Sequence, residues 1–186
     1  MEFINTTLVD AKLIRPTIYG DDRGFFLESW RQNLFDEGLN QGKFLEFVQE
    51  NHSGSSQGVL RGLHFQKKFP QGKLVRVVKG EVYDVIVDLR PNSPTFGQWQ
   101  GFTLSASNKL ILWSPPGFAH GFYVLSESAE FVYKCTDYYH PEDENSLIWN
   151  DPELKIEWPI IKNTQPVLSE KDRKGILFSQ VAFCHS

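Results

Sequence analysis

Arg61, His64, Lys73 and Asp84 sit where a sequence ordinarily places only core residues. They are set into the stretch 59–90, which reads VLRGLHFQ and then, after a Lys/Phe/Pro break, QGKLVRVVKGEVYDVIVDLR. Ionisable groups are costly to bury without partners, so the stretch is either laced with ion pairs or lines a cavity, and a cavity is the better reading. Histidine is the usual general base near neutral pH, so His64 could serve as one, although a core histidine bonded to a backbone carbonyl fits equally. Lys73 opens an apolar strand, either as a cation for an oxyanion or as a lysine whose stem packs while its head reaches water. Asp84 shares a strand face with Val82, Ile86 and Asp88, so plain surface exposure would require an edge strand. His120 follows the corner Ser114-Pro115-Pro116-Gly117, which aims it inward. Tyr133 alternates with Phe131 and by itself reads first as a core aromatic. Tyr138 and Tyr139, paired in a loop, read as a stacking surface. Asp172 lies three residues after Ser169, the capping-box position at a helix start, and is also a carboxylate that could orient a histidine.

The elements that must hold these groups are short strands. In 60–66, Leu60, Gly62, His64 and Gln66 share one face, while Leu63 and Phe65 share the other. Arg61 therefore has the wrong parity to join His64, unless Gly62 sits at a bulge. Further strands are expected at 1–15 (one or two), 25–30, 44–49, 73–78, 81–89, 97–104, 109–113, 121–125, 130–135 and 147–149. Gly20–Gly24 and 91–94 are turns, 52–58 is a Ser/Gly-rich loop, and 138–145 is a polar loop. Helix is expected only at 31–39, stopped by Gly38 or Gly42, and at 169–175, capped by Ser169. Roughly ten short strands with frequent turn signals describe an all-β sandwich or barrel, a fold that can hold one small ligand in its mouth.

Composition narrows the class. The chain has 186 residues, 40% of them hydrophobic, enough for one domain with a real core, and residues 1–186 are read as a single domain. Its net charge of −4 argues against a nucleic-acid partner. No apolar run approaches the ~20 residues of a membrane span, and MEFINTTLVD lacks the features of a signal peptide. Cys135 and Cys184 are too few for a disulfide framework and read as small apolar filler in a cytoplasmic protein.

The motifs GDDRGFFLESW, FVQENHS, VLRGLHFQ, QGKLVRVVKGEVYDVIVDLR, SPTFGQW, WSPPGFAHGF, EFVYKCTDYY and WNDPELKIEWP, in that order, resemble the dTDP-4-dehydrorhamnose 3,5-epimerases from about Asp10 to Gly175. That resemblance implies a cupin-type jelly roll (a double-stranded β-helix) with a few short helices, a homodimer, and no cofactor. It also implies epimerisation of dTDP-4-dehydro-6-deoxy-D-glucose at C3 and C5, for cell-surface polysaccharide such as lipopolysaccharide O-antigen. By motif, His64 is the base, Asp172 its partner, Tyr133 the proton donor, and Lys73 a catalytic cation that contacts the sugar with His120, near Asp84. Arg23, Glu28, Gln49, Glu50, Asn51, Arg61, Glu144 and Lys171 match substrate-binding positions, and Tyr139 matches an aromatic that stacks on thymine. Pro115-x-Gly117-x-x-His120 also resembles the second metal-binding motif of cupins. The first motif's His-x-His reads His64-Phe65-Gln66 here, so no metal is expected. Alternatives sharing the scaffold are a dTDP-keto-sugar epimerase or isomerase acting at C3 only, and a non-catalytic nucleotide-sugar-binding cupin.

Overall fold

The computed structural model describes residues 1–182, so Cys184 and His185 lie outside the described residues. The chain opens with β1 (Glu2–Asn5) and β2 (Lys12–Arg15), then forms a separate hairpin of β3 (Ile18–Asp21) and β4 (Gly24–Leu27). Helix α1 (Gln32–Asn40) follows, and then β5 (Gln49–Ser56), β6 (Leu60–Gln66), β7 (Lys73–Lys79), β8 (Glu81–Asp88) and β9 (Trp99–Ser105). The series ends with β10 (Ile111–Ser114), β11 (Phe118–Val124), β12 (Ser128–Cys135) and β13 (Glu144–Ser146), then α2 (Glu170–Arg173) and α3 (Phe178–Ala182).

Two sheets face each other, ordered β1-β2-β10-β7-β12-β5 and β13-β6-β11-β8-β9. Between them Val75, Val77, Leu112 and Phe131 of the first meet Val82, Ile86, Phe102, Leu104, Phe122 and Val124 of the second. The outer face of the first sheet is covered by α1, where Phe35 packs with Ile14, Leu74, Ile111 and Trp113. The outer face of the second is covered by the C-terminal segment, through Leu147, Leu154, Ile156, Phe178 and Val181. Strands β8 and β11 are therefore buried on both faces, which explains their near-continuous apolar runs. Among the described residues no helix is long and apolar enough to cross a membrane.

Several expectations are corrected. Residues 49–56 form β5, paired along their length with β12; the expected loop at 52–58 and strand at 44–49 are thus displaced. Phe44 lies exposed, while Leu45 and Phe47 pack over the α1 cluster. The strand expected at 147–149 is instead Glu144–Ser146, opposite β6, with Leu147 bridging Ile176. The strand expected over 25–30 ends at Leu27. Gly38 does not stop α1: the Phe3 ring packs where its Cβ would lie, within 2.5 Å, and the helix ends at Asn40, capped by Gln41 in the left-handed conformation before Gly42.

The parity conflict at Arg61 resolves as a bulge. His120 pairs with His64 but Phe122 pairs with Arg61, so β6 carries one extra residue between the two pairs. Gly62 supplies it, with φ +123°. A Cβ there would lie 2.5 Å from the Gly121 Cα and 2.8 Å from the His120 carbonyl oxygen. Gly62→Ala is therefore expected to destabilise the protein by roughly 2–4 kcal/mol, read as a fall in the urea midpoint without a change in slope.

Candidate active site

The bulge turns Arg61 inward on one side of Gly62 and His64 inward on the other, while Leu63 and Phe65 join the outer core. On the facing sheet, register sets Lys73 opposite Cys135 and Val75 opposite Tyr133, and Asn51 opposite Tyr133. All of these inner faces open at one end of the sandwich into a cavity of about 340 Å³, of ligand-binding size. Gln49, Asn51, Lys73 and Tyr133 line it from the first sheet; Arg61, His64, His120, Phe118 and Phe122 line it from the second; Tyr139 and Glu144 stand among its lining residues from the segment after β12. His64 and Tyr133 thus face one hollow from opposite sheets.

Asp172 backs His64. Its Oδ1 lies 2.7 Å from His64 Nε2 and also accepts from the Gly62 N–H at 3.2 Å, while Ser169 donates to Oδ2 at 2.6 Å. Ser169 also accepts from the Asp172 N–H as the cap of α2, so the capping and histidine-orienting readings hold together. Burial would raise the Asp172 carboxyl, but the bonds from His64, Ser169 and Gly62 outweigh it and hold the group at about 2. A carboxylate ionised that far down only accepts, so Nε2 carries the hydrogen and the imidazole lone pair sits on Nδ1.

This carries a pH consequence. Because the folded value lies below the ordinary 3.8, the stabilisation is fully present above pH ~4 and is lost as the pH falls through about 2. Urea unfolding of wild type and Asp172→Asn should differ by on the order of 2 kcal/mol at pH 5–6, and the gap should close between pH 4 and 2.

His120 and Asp84 repeat the pairing on the inner face, with Nε2 at 2.9 and 3.1 Å from the two carboxylate oxygens. Asp84 is fully buried in a central strand, not on an edge, and burial raises its pKa against the pull of His120 and Lys73. Asp88, on the same face, belongs to a separate network with Arg90, Ser93 and Thr95. Burial lowers the pKa of Lys73, opposed by Cys135, Glu144 and Asp84. Burial raises the Tyr133 phenol, opposed by a bond with Asn51. At the mouth, Tyr139 donates to Glu144 at 2.5 Å and Lys171 pairs with the same carboxylate. Its bond to Glu144, with burial, pushes Tyr139 up to about 12. Cys135 is buried as expected.

Some expected site residues stand elsewhere. Glu50 alternates with Gln49 and Asn51, so it points out of the sandwich and pairs with Lys134. Arg23, at the β3–β4 tip, pairs with Asp21 and its side chain is 90% exposed; Glu28 pairs with Arg31. Neither lines the cavity. Asp84, Asp172 and Lys171 are not themselves among the lining residues but pair with three that are, His120, His64 and Glu144. Ser53, Gln66, Gln71 and Phe131 line the cavity without having been singled out. Ser53 was missed with its strand, whereas Gln66 shares the His64 face by simple alternation. No cluster of three or more potential metal ligands occurs among the described residues.

The family model described as dTDP-4-dehydrorhamnose 3,5-epimerase matches residues 5–180. A dTDP-4-dehydrorhamnose 3,5-epimerase of Pseudomonas aeruginosa is 56% identical over 179 residues, covering 96% of this chain and 97% of the relative. One from Neisseria gonorrhoeae is 57% identical over 97% of this chain, which spans about half (53%) of that longer relative. Among solved structures, the dTDP-6-deoxy-D-glucose-3,5-epimerase of Legionella pneumophila, in complex with dTDP-4-keto-L-rhamnose, has 55% identity and a TM-score of 0.90, covering 95% of this chain and 92% of that one.

Proposed function

The chain belongs to the dTDP-4-dehydrorhamnose 3,5-epimerase family, and from that membership we propose how its cavity inverts two carbon centres. It is an isomerase that epimerises dTDP-4-dehydro-6-deoxy-D-glucose at C3 and C5 to give dTDP-4-dehydro-L-rhamnose. Both carbons flank the C4 ketone, so loss of either proton gives an enolate. His64 Nδ1 removes the proton on one face, and the imidazolium formed is stabilised by the Asp172 carboxylate. Tyr133 delivers a proton to the opposite face; a phenol held above its usual value keeps that proton until the carbanion takes it. Lys73 provides positive charge for the enolate oxygen, with His120 and Asp84 beside it. Gln49, Asn51 and Arg61 bind the nucleotide sugar, Arg61 suiting the diphosphate, and Tyr139, Glu144 and Lys171 hold the thymine end. The observation that carries this reading is the pair of rings, His64 and Tyr133, on facing sheets of one hollow with a carboxylate behind the imidazole.

We also infer a homodimer. The β3–β4 hairpin belongs to neither large sheet, and it exposes Ile18, Tyr19, Phe25 and Phe26, the last at 68%, an apolar surface of the kind that marks a partner. Arg23 and Glu28 take part in binding only if such a hairpin enters a second copy's cavity. The described chain then works as one cupin-like unit in the cytoplasm, and its product feeds cell-surface polysaccharide such as O-antigen. Incubation with dTDP-4-dehydro-6-deoxy-D-glucose, a dTDP-4-dehydrorhamnose reductase and NADPH should yield dTDP-L-rhamnose. Unconsumed NADPH with a competent reductase would overturn the assignment.

A further inference from the structure

Gln66 and Asp143 are buried polar residues that the proposed chemistry leaves unused. Gln66 stands two residues beyond His64 on the same inward face, yet its amide points at backbone. Nε2 donates to the Phe69 carbonyl at 2.6 Å and to the Tyr138 carbonyl at 3.2 Å, while Oε1 accepts from the His140 N–H at 2.9 Å. Both amide hydrogens are therefore committed, and the side chain has no donor left for a ligand. Asp143 completes the arrangement from the other side: its Oδ2 accepts from the Lys68 and Phe69 N–H groups at 2.8 and 3.0 Å. The Phe69 and His140 rings stack between them, with centroids 4.2 Å apart. The segment after β6 and the segment that carries Tyr139 and Glu144 are thus fastened to each other at the cavity mouth.

We propose that Gln66 and Asp143 form a clasp that positions Tyr139 and Glu144, so that they govern affinity for the nucleotide end of the substrate and not the proton transfer itself. The proposal rests on the substrate reading given above. Only an amide satisfies two carbonyls and one N–H from a single side chain; a carboxylate would set oxygen against oxygen. The clasp sits beside His64 in sequence but acts on residues 138–144, so its loss should separate the two Michaelis parameters.

The test compares wild type, Gln66→Leu, Asp143→Ala and the double variant, with thermal melts to confirm folding. Each single variant should raise KM for the dTDP-keto-sugar and the Kd for dTDP by about tenfold, with kcat within about twofold. The double variant should cost little more than either single one, because both break the same fastening. Unchanged KM and Kd in folded variants would overturn the clasp, as would a fall in kcat at constant KM, which would tie Gln66 to His64 instead. If a variant unfolds, Gln66→Glu, which keeps size and shape, is read in its place and should weaken dTDP similarly. The dTDP titration is independent of turnover. A wild type that bound dTDP without epimerising the sugar would therefore sink the proposed reaction while leaving the clasp testable.

Discussion

His64→Asn is expected to bind dTDP with an affinity within about threefold of wild type and to lose turnover by on the order of 10³–10⁴. The loss follows from chemistry: an amide has no lone pair basic enough to take a carbon-bound proton. Retained binding follows from structure. An asparagine amide is too short to replace the His64 Nε2 bond, but the Asp172 carboxylate keeps its bonds from Ser169 and the Gly62 N–H, so the bulge that turns Arg61 into the cavity is not released. A single-turnover assay beside a dTDP titration separates the two parameters. Turnover like that of wild type would remove the imidazole from the mechanism.

Tyr133→Phe should show a different deficit. The ring still packs beside Phe131, 5.8 Å away, and the base on the opposite sheet is untouched, so protons still leave the sugar. In deuterated water the variant is expected to wash label into unreacted substrate while inversion at C5 falls by about 10²–10³. Absence of exchange would mean that the phenol does more than complete the reaction. The two variants together distinguish removal of a proton from its return, which is the distinction the facing sheets impose.

How far the sequence carries this account depends on where each residue's environment is decided. The conflict of parity between Arg61 and His64 pointed to a bulge at Gly62, because alternation along one strand is a local property. The Ser169–Asp172 cap was legible for the same reason. Its union with His64, across more than a hundred residues, came only from the resemblance, since nothing local says what the second oxygen of a capping aspartate meets. Strand β5 was missed because Ser53, Gly54, Ser55 and Ser56 have weak strand preference; the unpaired edge of β12 overrides it. Missing that strand also hid the alternation that sends Gln49 and Asn51 inward and Glu50 outward. Phe44–Phe47 misled in the opposite sense, as apolar residues that cover α1 without joining a ladder. Arg23 and Glu28 fit their motif yet stand apart from the cavity of their own chain, because the hairpin that ends at Leu27 belongs to neither large sheet.

The central claim is that a base and an acid on opposite walls of one cavity invert both carbons beside the ketone. Running the wild-type reaction in deuterated water, trapping the product by reduction and locating the label by NMR tests it most directly. One deuteron at C3 and one at C5 are expected, both with inverted configuration. Product labelled at C3 alone, or carrying no solvent deuterium, would contradict it.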